Sequence, residues 1–443
     1  MNLSEIKKSP ERLWNLYFII VFIISLAVRV AMQMQNSVLA LYIKELNGEA
    51  SAAGLAMGAF TLSSLILRPF VGNFIDKHGR KWVLIIGTIM LALTTISFNF
   101  ITSMSLLILM RFVVGIGFAV QSTTIGTMAS DVLPEKHMME GIAYFGLTAT
   151  LASAVAPAIG IYLIEDFSFS ALFIFCFLLL AVCTVGSLLL NYEKKRKIEA
   201  DKLRQITEDT ASEIETLELL NSETELLAQE DVNKIDDCAF EENKPIKWWE
   251  KLLEKNSLPI ALIQIFLMFP AATVFTFLPL YVSELGIDLK AFGAFFTIQA
   301  AATFTSRIFM GKVVKKVGPS KVLIPCFIVT ALGYVAYFLF TELAAFFIIS
   351  IFTGFASGVI MPLFNGVAIK VAPTNRRGAA NATFFLAIDF GFGLGSVAWG
   401  YVAGWFGYAT IFLLSAVVVL IGFILYMLIV NKTLIKLHNE GKL

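Results

Sequence analysis

Arg29, Arg111 and Asp389 are the residues whose types and positions could do chemistry, because each lies inside a long apolar run where a charge is costly. Inserting such a group into hydrocarbon costs roughly 2.5–3.5 kcal/mol on translocation scales, so its side chain must face a protein interior or a water-filled cavity. Arg29 shares one helical face with Ser25, Gln33 and Asn36, and Asp389 sits in the middle of FFLAIDFGFGLG. An arginine and a carboxylate at similar depth predict one of two things. Either Arg29 and Asp389 form a static salt bridge, or the carboxylate exchanges its arginine for a proton. Arg111, near the start of its run, either stabilises the charged form of a neighbouring carboxylate or snorkels to the surface. His78, His137 and His438 fall between or after the apolar runs, so no histidine is placed to carry protons across. Cys176, Cys183, Cys238 and Cys326 show no Cys-x-x-Cys spacing and no neighbouring histidine. Neither a metal site, a disulfide framework nor a cofactor is expected.

These residues need a scaffold, and composition says which kind. Of 443 residues, 58% are hydrophobic, 13% aromatic and only 15% charged, with a mean hydropathy of +0.79, which is too apolar for a water-soluble globule. A membrane span needs about 20 consecutive apolar residues. The runs predict helices at 14–42, 51–75, 82–101, 105–129, 140–164 and 168–191, then at 257–282, 290–314, 320–340, 343–370, 378–403 and 407–430. The expected fold class is therefore an all-α, multi-pass protein of the cell membrane with twelve transmembrane helices. The first run is too long for a removable signal peptide and has no small-residue cleavage site, so it stays as helix one. A formal net charge of +1 argues against an electrostatic nucleic-acid partner. No phosphate loop or His/Asp/Cys constellation faces either surface, so an enzyme is not expected.

Basic residues are retained on the cytoplasmic side of a membrane, and here they alternate. Lys7, Lys8 and Arg12 precede helix one, and Lys77, Arg80, Lys81, Lys136, Lys194, Lys315, Lys316, Arg376, Arg377 and Lys432 follow even-numbered helices. Both termini are thus expected in the cytoplasm. Residues 192–256 interrupt the apolar rhythm with a polar, acidic connection, which divides the chain into 1–191, 192–256 and 257–443. Few aromatics and much charge predict partial disorder in that connection. Its end, KWWEKLLEK at 247–255, reads either as a helix in the membrane interface or as a polar extension of helix seven.

One constant offset relates the two apolar halves. The offset that carries Leu39 onto Leu278 aligns LALYIKELN with LPLYVSELG, and it aligns Gly54 with Gly293, Arg68 with Arg307, Gly72 with Gly311 and Gly79 with Gly318, without a gap. Parallel repeats of this kind place a substrate site between the halves, near the midplane. The stretch GNFIDKHGRK, Gly72 to Lys81, sets charged residues between two spans and reads as a tight turn that Gly72 and Gly79 permit. It matches Gly-x-x-x-Asp-[Arg/Lys]-x-Gly-[Arg/Lys]-[Arg/Lys], the loop between helices two and three in the major facilitator superfamily, at every specified position. The chain therefore resembles that superfamily, and two six-helix halves are what the resemblance implies.

The resemblance also implies roles. Asp76 would face the amino end of helix eleven, where unpaired backbone N–H groups favour an anion. Arg80 would hold Asp131 at the end of helix four, and together with Gly72, Gly79 and Lys81 these residues would form a latch on the cytoplasmic side. Leu107, Arg111, Gly115 and Gly117 are similar to a signature associated with proton coupling, with Val114 where glutamine is usual. Pro157 and Gly160 are similar to the antiporter signature of helix five, with Ala156 and Ile161 where glycines are expected. Small residues from Ala149 to Ala158 would let helix five approach helix eight closely. Polar cavity candidates are Gln33, Asn36, Gln121, Thr124, Gln264, Thr273, Gln299 and Asn365, set among Phe and Met. So apolar a cavity suits amphipathic solutes better than sugars. The resemblance is to the drug:proton antiporter branch: a single chain exporting a small amphipathic or anionic molecule in exchange for protons. A proton-coupled uptake symporter and a non-transporting receptor are the alternatives.

Overall fold

The computed structural model describes residues 13–134, 137–188, 190, 253–373, 376–432 and 434–435. The connection expected at 192–256 and the segment KWWEKLLEK therefore lie largely outside the described residues, as does Cys238. Among the described residues the chain is a bundle of twelve helical rods, because hydrocarbon leaves every backbone polar group to be satisfied within the segment itself. The first half comprises α1 (Leu16–Glu45), α2 (Ala50–His78), α3 (Arg80–Ser97), α4 (Met104–Asp131), α5 (Met138–Asp166) and α6 (Phe169–Leu188). In the second half α7 runs over Leu258–Ala272, widens into a π turn at Thr273–Phe277 and resumes over Leu278–Glu284. Then come α8 (Leu289–Val317), α9 (Pro319–Leu339), α10 (Leu343–Lys370), α11 (Arg377–Phe406) and α12 (Tyr408–Leu425), the last continued by a π turn at Tyr426–Val430.

Eleven rods are long and apolar enough to cross a membrane on their own composition. The exception is α8, which carries Thr297, Gln299, Thr303, Ser306 and Arg307 toward other helices. Outward faces hold Leu93, Val182, Leu332 and Ile424 exposed, as a lipid-facing surface requires. The π turn of α7 lies between Pro270 and Pro279. Proline donates no backbone hydrogen bond, and a wider turn absorbs the interruption.

The stretch Gly72–Lys81 is less a loop than expected. Gly72 to His78 complete the last turns of α2, Arg80 and Lys81 begin α3, and Gly79 alone, at φ 81°, reverses the chain. A glycine is needed there because other residues rarely adopt positive φ. Its repeat partner Gly318 does the same between α8 and α9, at φ 93°.

The repeat read from sequence reappears in contacts. Gly115 of α4 lies so close to the Phe60 carbonyl of α2 that a Cβ would overlap it, and Gly354 of α10 meets the Gln299 carbonyl of α8 in the same way. Tyr42 packs 5.0 Å from Phe173, and Tyr281 packs 5.4 Å from Phe412. Each half is therefore the same six-helix unit. The halves meet along α2 against α11 and α5 against α8, where a Cβ on Gly54 would strike the Ser396 carbonyl and Thr297 donates to the Ala154 carbonyl at 2.7 Å.

Two contacts join the halves at the end remote from the termini. Lys290 of α8 pairs with Asp166 of α5, and Lys44 donates to Ser283 at 3.3 Å. Lys44 and Ser283 are repeat equivalents, so their contact sits on the pseudo-twofold axis. Toward the terminal end the glycines of several helices stand clear: a Cβ on Gly72, Gly126, Gly146, Gly311, Gly366 or Gly378 would meet nothing within 4 Å. Gly54→Ala should therefore destabilise the purified protein by about 1–3 kcal/mol through overpacking, while Gly146→Ala should be neutral or gain up to about 1 kcal/mol of helix preference. Melting temperatures in one detergent check this, and equal shifts for both would contradict the packing described.

Candidate functional site

A cavity of about 280 Å³ lies between the halves and is walled by α1, α2, α4, α5, α7 and α11. The polar stripe of α1 forms one side, with Arg29, Gln33, Asn36 and Ser37. Facing it across α2 and α11 are Thr61, Ser64, Arg68 and Asp389. Aromatic side chains complete the walls in two groups: Phe60 with Phe118, 5.5 Å apart, and Phe275 with Phe392, 6.2 Å apart. The site is thus a mostly apolar chamber with a few charged groups, Arg29 on one side and Arg68 with Asp389 on the other.

The expected Arg29–Asp389 pair is corrected. Asp389 is paired with Arg68, an α2 residue one helix away from Arg29, although all three line the same cavity. The physical reason is proximity: α2 and α11 are in backbone contact from Gly54 and Gly400 inward, which delivers Arg68 to the carboxylate. The Nε of Arg29 instead donates to Ser25 at 3.4 Å. A signal for Arg68 was present in the sequence, since the offset pairs it with Arg307. The structure shows why both arginines recur. Arg307 donates to the Thr150 hydroxyl at 2.9 Å, and Thr150 is the repeat equivalent of Asp389. One contact geometry thus occurs twice, once with a carboxylate and once with a hydroxyl.

Arg111 does not snorkel. It is 1% exposed, donates to the Asn36 Oδ1 at 2.6 Å and to the Met57 Sδ at 3.4 Å, and lies 4.8 Å from the centre of the Phe60 ring. All three contacts belong to the cavity wall, so Arg111 stands directly behind it.

Of the other polar candidates, only Gln33 and Asn36 reach the cavity. Gln121 is buried against Gly87 of α3, and Thr124 donates back to the Val120 carbonyl at 2.6 Å. Gln264 is buried within α7, and Thr273 donates to the Pro270 carbonyl at 2.8 Å. Gln299 packs against Gly354 of α10, and Asn365 of α10 does not line the chamber. These residues lie away from the chamber, a partition that helical spacing alone does not reveal.

At the terminal end Arg80 pairs with Asp131, and Lys81 donates to the Leu188 carbonyl at 2.6 Å. The backbone of Asp76 belongs to α2, but its side chain lies outside those described. Pro157 is buried in α5. At Gly160 the close neighbour is α1, with the Met34 carbonyl 3.2 Å from where a Cβ would stand. At the end of that small-residue run α5 does approach α8, as Ala158 stands 3.5 Å from a Cβ on Gly293.

Two repeated six-helix units around a central, partly charged chamber define a multi-pass membrane transporter rather than an enzyme. The chain belongs to the Major Facilitator Superfamily, whose family model matches residues 21–290 and 260–442. It is 25% identical over 410 residues to the staphylopine export protein of Staphylococcus aureus, covering 91% of this chain and 94% of that one. An MFS-type transporter of Methanocaldococcus jannaschii is 23% identical over 393 residues, covering 88% and 92%. The quinolone resistance protein NorA of Staphylococcus aureus is 28% identical over 155 residues, 35% of this chain and 39% of its own. These relatives are consistent with a drug-efflux-type branch. In fold the chain is similar to a bacterial homologue of the human lysosomal transporter Spinster in an inward-facing, occupied conformation, with a TM-score of 0.71 at 13% identity over 94% of this chain and 96% of that one.

Arg68→Gln alone leaves Asp389 without its partner and should lower stability by on the order of 1–3 kcal/mol, less than a fully buried pair because both side chains keep some exposure. Adding Asp389→Asn should restore most of the folded yield. Fluorescence-detected size exclusion of the single and double variants measures this, and a double variant no better than the single would dissociate the two residues.

Proposed function

We propose that the protein is a proton-coupled secondary transporter that exports a small amphipathic or anionic molecule by proton-driven antiport, as a single chain whose halves rock about the central chamber. The observation that carries this reading is the Arg68–Asp389 ion pair, which ties α2 of one half to α11 of the other on the chamber wall. Protonation of Asp389 removes the charge that holds Arg68, so a proton at this position loosens a contact between the halves. Loss of the proton remakes it. The link between protonation and rocking is therefore a local one. Export as the direction draws support from the similarity to the staphylopine export protein.

Orientation follows from the basic residues, with the terminal end in the cytoplasm. In that orientation the contacts Lys290–Asp166 and Lys44–Ser283 join the halves at the outer side, which supports an opening toward the inner side. The opposite state needs closure at the inner side. Arg80 with Asp131, together with Asp76 at the end of α2, is the latch we assign to it. Asp76→Asn and Asp131→Asn should insert normally and slow exchange several-fold. Unchanged initial rates at equal surface abundance would remove the latch from the mechanism.

A specific observation favours a second reading, uptake of an anion together with a proton. The chamber holds Arg29 and Arg68 against one carboxylate, so an anion drawn to Arg68 competes with Asp389 and favours its protonated form. Proteoliposomes with an internal pH indicator, offered dyes, antibiotics and metal-chelating acids in turn, separate the two. Antiport moves protons against the solute, and symport moves them with it. In either case Asp389→Asn should abolish net proton movement while solute counterflow persists. Proton movement retained in that variant would refute Asp389 as the proton site.

A further inference from the structure

We infer that the transported solute carries an anionic group, a carboxylate or its equivalent, and that Arg29 is the residue that receives it. This rests on reading the chamber as the transport site, but not on the direction of coupling. Three guanidinium groups lie at or directly behind the chamber wall: Arg29, Arg68 and Arg111. Their described counter-charge is Asp389 alone, and it is engaged by Arg68. Among the described residues no carboxylate pairs with Arg29 or with Arg111. Arg111 has only neutral contacts, and its Nε has no hydrogen-bond partner. The contact of Arg29 with Ser25 at 3.4 Å is at the long limit of a hydrogen bond. Two positive charges are thus left uncompensated inside a membrane protein, an arrangement that costs free energy until an anion arrives.

The neighbours of Arg29 are arranged to help receive one. Arginine has donors only, so the oxygen of the Asn36 side chain must face Arg111, and the Asn36 amide nitrogen is the end left for a ligand. Gln33, four residues from Arg29 on the same face of α1, also lines the chamber. The solute's apolar body then has the Phe60–Phe118 and Phe275–Phe392 walls. A cationic solute would instead compete with Arg68 for Asp389 and face the repulsion of Arg29.

Equilibrium dialysis of the full chain in phosphatidylcholine nanodiscs, with 1-naphthoate and 1-naphthylmethylammonium as size-matched probes, tests the inference. Naphthoate should bind saturably and the ammonium probe should not. Arg29→Gln should weaken naphthoate by about tenfold or more, the usual weight of a charge-assisted hydrogen bond. Arg29→Lys, which keeps the charge, should weaken it less and guards against a folding artefact. Equal binding of the ammonium probe, absence of saturable naphthoate binding, or unchanged affinity in a monodisperse Arg29→Gln protein would each overturn the inference. A second arm adds phosphatidylglycerol to the nanodiscs. Affinity should not change, whereas displacement of naphthoate would assign Arg29 to a lipid headgroup and overturn the solute assignment. Arg29-dependent naphthoate binding without any proton movement in proteoliposomes would leave this inference standing and sink the proton-coupled one.

Discussion

Hydrocarbon supplies neither hydrogen-bond partners nor counter-ions, and the rest of this structure answers to that constraint. Backbone groups are satisfied inside twelve helical rods, and buried hydroxyls such as Thr88, Thr124 and Ser187 donate back to carbonyls one turn earlier. Charged groups away from the helix ends have no such local remedy. Most find partners on other helices, and Arg29, Arg68, Arg111 and Asp389 gather at one chamber between the halves. The Arg68–Asp389 pair is the strongest of these compensations, because it is a full charge pair made across the interface.

Helices approach closely enough for such pairs because small residues line the contacts. Gly54 and Gly400 bring α2 and α11 to backbone distance, and Ala158 with Gly293 does the same less tightly for α5 and α8. Van der Waals packing of this kind is the principal force joining helices in lipid. The two interfaces are copies of one design, down to the arginine that each sends across. What distinguishes them is the residue that receives it, aspartate in one and threonine in the other. A hydroxyl keeps its form across physiological pH and a carboxylate need not, so of these two repeat-equivalent partners only Asp389 can respond to a proton. The asymmetry gives the proposed coupling its location.

Two further arginines set the electrostatics of the chamber. Arg111, sealed behind Asn36, Met57 and Phe60, sets a guanidinium at the wall, and Arg29 adds another within it. An apolar chamber with excess positive charge and a few amide donors is selective in kind. On the reading proposed above, it would favour amphipathic anions over cations and over sugars with many hydroxyls.

Much of this was legible in the chain itself. Run lengths set the twelve helices, and the offset between Leu39 and Leu278 set the two equivalent halves. Arg29, Arg111 and Asp389 stood out as charges needing an interior, because hydropathy is a property of single residues in order. Partnership was not legible. Sequence spacing says which residues share a helix face, but not which face meets which neighbour, so Asp389 was matched to Arg29 when the glycine contact of α2 with α11 gives it to Arg68. For the same reason Gln121, Thr124, Gln264, Thr273, Gln299 and Asn365 looked equivalent to Gln33 and Asn36. Helix periodicity fixes an orientation about one axis only; the rotation of each helix relative to the others is decided by packing across the bundle, and that decision separates a residue in the chamber from one wedged inside a half.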